Sequence, residues 1–160
     1  MATLSSCSSQ KGVSSRNRKG SVEMSFPVNR NVSGLRRNIL EEARTWMGTP
    51  YKYAGQDKKT GTDCSGMVMR VYETTAGCTL PRNSAKQAEY CKKIKSQDVR
   101  PGDLVFFATG KDPEKVSHVG IMIDPENFIH ASTSKGVVVS NVTSPYYVKT
   151  FIMYGRVPGI

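Results

Sequence analysis

Histidine is scarce in this chain, with only His118 and His130, and there is a single tryptophan. The cysteines, at 7, 64, 78 and 91, show no CxxC spacing, so neither a zinc knuckle nor a dithiol redox motif is written here. No run of some eighteen apolar residues exists, so no segment reads as a membrane-spanning helix. Acidic residues are also few, 13 against 23 Lys and Arg, which leaves a formal charge of +10. Such an excess raises the question of nucleic acid. The basic residues are scattered, however: Arg16, Arg18, Lys19, Arg30, Arg36 and Arg37 in the N-terminal part, then Lys52, Lys58 and Lys59. No zinc-finger, helix-turn-helix or aromatic-basic stacking signature accompanies them. The charge reads as a basic surface with some attraction to an anionic envelope polymer, not as a nucleic-acid footprint.

What remains is enough for one domain with a hydrophobic core, and too little for two. Residues 1–30 are rich in Ser, Lys, Arg, Asn and Gly and carry no period, which predicts a flexible leader. Within it, Leu4-Ser5-Ser6-Cys7 resembles the end of a bacterial lipoprotein signal, in which the cysteine becomes lipidated. Met1-Ala2-Thr3 supplies neither a basic n-region nor an apolar h-region. Lipidation at Cys7, with the following stretch as a membrane tether, is therefore the expectation for a longer precursor.

From Ser33 the pattern changes to a packed domain over 31–160. Leu35, Ile39, Ala43, Trp46 and Met47 share one face at helical spacing, with Ser33 as N-cap and Gly48 as stop. A loop with Gly, Pro and two tyrosines follows, Gly48 to Gly55. Asp63-Cys64-Ser65-Gly66 then opens a second apolar-periodic run through Met67, Val68, Val71 and Tyr72 to Gly77, with Thr62 or Asp63 as cap. Ser84-Ala85-Lys86-Gln87 has the form of a capping box, which predicts a third short helix. Beyond Pro101-Gly102 the pattern predicts strands at 104–108, 119–123, 128–131, 137–140 and 151–157. Helices first and antiparallel strands second is an α+β order.

The thiolate is the reactive form of cysteine, and the start of a helix favours it through partial positive charge and free N–H groups. Cys64 has that position. A histidine nearby would complete a thiol–imidazole pair, with a third group orienting the ring. Spacing alone leaves the pair underived. If residues 124–127 form a four-residue turn, Ile123 pairs with Phe128 and His130 falls opposite Ile121. His118, three residues from Ile121, then points to the other face. A bulge or a connection of odd length restores a common face. Cys78 and Cys91 fit a disulfide in an oxidising compartment and equally fit two buried thiols.

Six ordered blocks carry a resemblance: Gly48-Thr49-Pro50-Tyr51, Asp63-Cys64-Ser65-Gly66, Leu80-Pro81-Arg82-Asn83-Ser84, residues 100–107, His118-Val119-Gly120-Ile121 and Ile129-His130-Ala131-Ser132. From about Leu35 to Arg156 the chain resembles the NlpC-type family of papain-like bacterial cell-wall cysteine peptidases. The resemblance implies N-terminal helices packed on a mostly antiparallel sheet of five or six strands. It also implies hydrolysis of peptidoglycan stem peptides at the D-γ-glutamyl–diamino acid bond, without metal or other cofactor. Cys64 would be the nucleophile, His118 the base and His130 the group orienting His118. Tyr51 would help hold the reacting carbonyl, and Asp63 and Ser65 would help bind a free N-terminal amine of the substrate. The implied partner is peptidoglycan or its fragments, and the implied place the cell envelope or periplasm; the sequence leaves the oligomeric state open, with a monomer favoured.

Two departures stand out. Ala54 occupies a position where the family often has glycine, and the segment from Tyr51 to Cys64 runs one residue long, so that Tyr53 competes for the Tyr51 role. Rival readings are an acyltransferase or transpeptidase with the same Cys–His pair, a delivered amidase toxin, a zinc module on Cys64, His118 and His130, and a wall-binding protein without catalysis.

Overall fold

The computed structural model describes residues 25–160. Cys7 and the leader through residue 24 lie outside the described residues. Helix α1, Gly34–Arg44, buries Ile39, Leu40 and Ala43, and Trp46 beyond its end is buried as well. Ser33 stands at the N-cap position, but its side chain makes no capping bond. Helix α2, Cys64–Ala76, is capped by Asp63 and closed by Gly77 in the left-handed conformation that glycine adopts without penalty. Helix α3 is Ser84–Tyr90. Its cap is Asn83, whose Oδ1 accepts from the Lys86 N–H at 2.9 Å, so the expected Ser84–Gln87 box does not form. An amide oxygen one residue earlier takes the cap, bonding the Lys86 N–H in place of the Gln87 N–H, and sets the helix start at Ser84. Gln87 is instead buried, with Nε2 donating to the Ser65 and Pro81 carbonyls.

Two short strands, β1 (Gln56–Asp57) and β2 (Gly61–Thr62), form a ribbon ahead of α2. The main sheet holds β3 (Lys92–Ile94), β4 (Leu104–Phe107), β5 (His118–Met122), β6 (Asn127–Ser132), β7 (Gly136–Asn141) and β8 (Phe151–Arg156). Its order is β3-β8-β4-β5-β6-β7, with every neighbouring pair antiparallel. The five strands predicted from apolar runs are all present. The ribbon and β3 are polar, Gln-Asp and Lys-Lys, and give no apolar signal. A fourth helix, α4 (Pro145–Thr150), precedes β8.

Side chains alternate across each strand. On one face Leu104, Phe106, Val119, Ile121, Ile129 and Val137 join α1 and α2 in the main core. On the other, Val105, Phe107, Met122, Phe128 and Tyr154 form a smaller core, with Tyr147 of α4 packed against it. Phe26 is buried in the main core and Val28 packs on it, so packing begins ahead of residue 31. A lone aromatic within a polar stretch carries no period to reveal that. Cys78 and Cys91 are free thiols, and burial pushes the Cys91 thiol up to about 12.

Asp103 ties these layers together. Its fully buried carboxylate receives Arg36 of α1 at 3.1 Å, Arg156 of β8 at 2.8 and 3.0 Å, and the Arg100 N–H at 2.7 Å. Removing the acceptor strands two guanidinium groups in a partly buried pocket, a loss of about 3 kcal/mol. Asp103→Ala is therefore expected to lower the unfolding free energy by about that amount in urea titration. A change below about 0.5 kcal/mol would show that the cluster holds nothing together.

Candidate active site

The first turn of α2 presents Cys64. Asp63 has extended backbone, and its Oδ1 accepts from the Gly66 N–H at 2.7 Å, so the residue after it enters the helix with free N–H groups around it. Arg82 holds the same carboxylate in a two-pronged pair, 2.9 and 3.1 Å, and donates to the Ser65 hydroxyl at 2.9 Å. Asp63 and Ser65 thus meet beside Cys64, and both are already engaged by one guanidinium.

The loop carrying Tyr51 is fastened along its length. Gly48 N–H donates to the Val137 carbonyl and Val137 N–H to the Thr49 carbonyl, which joins the loop to β7. Lys52 and Thr62 exchange backbone bonds with β2 and Pro50. A Cβ on Gly66 would stand 2.3 Å from the Gly55 carbonyl oxygen, so the glycine of the Asp-Cys-Ser-Gly block is what lets loop and helix touch. Tyr51 is half-buried, and burial first, then the charges of Cys64 and Asp63, push its phenol up. Tyr53 is 88 % exposed. Ala54 has φ +58°, a left-handed conformation that disfavours any side chain with a Cβ.

The sulfur lies 4.0 Å from the Ser117 carbonyl oxygen, and the Val119 N–H points toward it. Cys64 therefore reaches the backbone on both sides of His118. The sulfur is buried, and burial pushes the thiol up. The Asp63 charge adds to this, and the N–H groups of Val119, Ser65 and Cys64 oppose it without overcoming it. The helix start alone suggested a lowered thiol. Desolvation outweighs it.

His118 and His130 share a face. Ile121 pairs with Ile129 and Met122 with Phe128, and Ile123 N–H donates to the Asn127 carbonyl at 2.8 Å. The connection is the three residues 124–126, tightened by Asp124 Oδ1 accepting from the Glu126 and Asn127 N–H groups. Continued, this register sets His130 opposite Gly120, two places from His118. A Cβ at Gly120 would meet Phe128 Cδ2 at 2.6 Å and His130 Cβ at 3.2 Å, so the glycine makes room for the rings above it.

His118 Nε2 and His130 Nδ1 are 2.8 Å apart, and His130 Nε2 lies 2.8 Å from Ser140 Oγ and 3.5 Å from the Tyr147 hydroxyl. Phe128 and Tyr147 pack on His130 with ring centroids at 4.6 and 5.6 Å, and Phe107 lies 6.2 Å from His118. This aromatic surround withholds water. Burial lowers His118 to about 4, and burial with the neighbouring His118 lowers His130 to about 3. Both imidazoles are neutral at pH 7. A cleft of about 350 Å³ opens over them, with Thr109, Ser132, Lys135 and Tyr147 in its walls. Among the described residues no group of three His, Cys, Asp or Glu side chains is gathered for a metal ion.

Residues 48–156 match the model of the NlpC/P60 family. The chain belongs to that family. A relative named probable endopeptidase, from Haemophilus influenzae, is 40 % identical to this NlpC/P60 chain over 119 residues, 74 % of the chain and 73 % of the relative. A second, named murein DD-endopeptidase MepS/murein LD-carboxypeptidase, from Escherichia coli K12, is 39 % identical over 122 residues, 76 % of the chain and 62 % of the relative. The crystal structure of a Staphylococcus aureus protein described as similar to lipoprotein, of the NLP/P60 family, matches with TM-score 0.70 and 31 % identity. That match covers 77 % of this chain and 41 % of the other, so the chain spans less than half of that protein. The likeness extends to the papain-like architecture, with α1 and α2 on one side of an antiparallel six-stranded sheet.

Sequence reasoning did not single out Ser140 or Tyr147, and treated Arg82 only as part of a block. Ser140 sits in a run of valines and Tyr147 in a helix too short to show a period. Two outcomes follow from this geometry. Ala54→Gly relieves the left-handed strain at the family's glycine position and should stabilise the domain by about 0.5–1 kcal/mol, read as a higher Tm. Between about pH 4 and 6.5 the unfolded chain takes up imidazole protons that the folded site refuses, so stability rises with pH through that window and levels off above it. Unfolding titrations at pH 5 and 7 should show the difference, and His130→Gln should shrink it; equal stabilities would mean that the rings titrate freely.

Proposed function

We propose that this NlpC/P60 chain is a cysteine endopeptidase of peptidoglycan stem peptides. One observation carries the reading: the sulfur at the start of α2 touches the backbone on both sides of a histidine whose ring is bonded to a second. His118 uses Nε2 toward His130, which leaves Nδ1 as the nitrogen for the thiol proton. Neutral thiol and neutral imidazole are the resting pair, so the proton moves as the sulfur attacks.

Cys64 Sγ bonds to the peptide carbonyl carbon while His118 takes the thiol proton. The Cys64 N–H and the Tyr51 hydroxyl hold the oxyanion. Collapse breaks the C–N bond, His118 hands its proton to the departing amine, and an acyl-thioester remains on Cys64. Water, deprotonated by His118, then attacks the thioester and releases a carboxylate and the thiol. His130 orients the His118 ring. Asp63 and Ser65 face the substrate's amine across their contact with Arg82, which shares the carboxylate.

The bond we assign is D-γ-glutamyl to the diamino acid, from the resemblance of the six sequence blocks to the NlpC-type peptidases. The likeness to a relative named for murein DD-endopeptidase and LD-carboxypeptidase activity favours a second reading, cleavage at a D,D or L,D bond of the same polymer. We place the protein outside the cytoplasm, at the cell envelope, with the residues ahead of Phe26 as a tether and Cys7 as its lipidated end.

Mass spectrometry of muropeptides digested by wild type and by Cys64→Ala decides the reading. Wild type should yield a free carboxylate at one defined bond, and Cys64→Ala should lose more than about a thousandfold in rate with an unchanged circular dichroism spectrum. A new amide or ester in place of the carboxylate would make the protein a transferase. Undiminished cleavage by Cys64→Ala would refute the mechanism.

A further inference from the structure

His130 is 1 % exposed, and both its nitrogens have partners: Nδ1 faces His118 Nε2, and Nε2 faces Ser140 Oγ, each at 2.8 Å. One proton lies between the two rings, and its position sets everything downstream. This inference rests on the proposed role of His118 as base. For His118 Nδ1 to be free to take a proton, the ring must carry its own hydrogen on Nε2. That hydrogen is donated to His130 Nδ1, which must then be bare. A neutral His130 with a bare Nδ1 carries its hydrogen on Nε2. In a buried site that N–H needs an acceptor.

Ser140 Oγ is the acceptor at hydrogen-bonding distance. Ser140 stands on β7 opposite Phe128, on the face that carries both histidines. Its own hydroxyl proton is then left to turn toward the Tyr147 oxygen, which α4 brings down over His130. Tyr147, at 3.5 Å from His130 Nε2, is a weaker second acceptor. The reverse direction, Ser140 donating to His130 Nε2, would put the hydrogen of His130 on Nδ1 and that of His118 on the nitrogen meant for the thiol. An aspartate in place of His130 could accept from His118 without help. A histidine cannot, because its tautomer is open until something fixes it.

We propose that Ser140 is a positioning residue that fixes the tautomer of His130, and through it that of His118, with Tyr147 as second acceptor. The relay runs His118 Nε2–H to His130 Nδ1, His130 Nε2–H to Ser140 Oγ, and Ser140 O–H to Tyr147 Oη.

The test reads imidazole ¹⁵N shifts at pH 7 in the Cys64→Ala background, where turnover plays no part, and steady-state kinetics in the Cys64 enzyme. Both histidines should carry hydrogen on Nε2. Ser140→Ala, which leaves only the weaker Tyr147 acceptor, should move part of the hydrogen to Nδ1 on both rings and lower kcat about tenfold with KM within about twofold. Ser140→Thr, which keeps the hydroxyl, should restore both readouts. Adding Tyr147→Phe to Ser140→Ala should deepen the kcat loss to about a hundredfold. The relay is overturned if the parent protein shows His130 protonated on Nδ1, or if Ser140→Ala leaves the ¹⁵N pattern unchanged. A hydrolase reading that fails would show itself separately, as cleavage surviving Cys64→Ala, with the nitrogen shifts still deciding the relay.

Discussion

Side chains alternate across a strand, so the number of residues between β5 and β6 decides whether His118 and His130 can meet at all. An even connection would have sent one ring into the main core and left the other outside it. The three-residue turn at 124–126 sets both on the same face, and Asp124 fixes that length by gathering the Glu126 and Asn127 N–H groups onto its carboxylate. Gly120 completes the arrangement. It lies under the two rings, where a side chain would run into Phe128. The two histidines, the aromatic wall and the cleft all depend on this one register.

Much of the architecture was legible because the chemistry was local. Asp63 before an apolar-periodic run announces a cap, and Gly77 announces a stop. Ile39 and Ala43 mark the buried face of α1 through their spacing. The polar ribbon and β3 were illegible for the opposite reason: Gln56, Asp57, Lys92 and Lys93 pair through backbone groups alone, with no apolar pattern. The helix of Pro145–Thr150 hides behind strand-favouring residues such as Tyr146, Tyr147 and Val148. The shared face of the histidines depended on a turn length that spacing left open. The thiol was read from its helix end, and the buried environment that reverses the expectation exists only once the chain has folded.

The charges of the domain are arranged to leave the imidazoles alone. Among the described residues the one fully buried carboxylate, Asp103, is matched by Arg36 and Arg156, away from the histidines. Asp63, nearer the sulfur, is answered by Arg82. The histidines are left among Phe107, Phe128 and Tyr147, where a neutral ring is the stable one. Under the proposed mechanism the positive charge that forms on His118 is met by dipoles alone, those of the second ring and the hydroxyls behind it, with no fixed anion.

The segment from Gly48 to Gly55 has a mechanical consequence. It is stitched to β7 through Val137, to β2 through Thr62, and to α2 where Gly55 lies on Gly66. From α2 the chain of contacts runs through β5 and β6 to β7, and so back to Gly48. The elements around the candidate site form a closed hoop, and no single hinge in it can swing without tearing a ladder elsewhere.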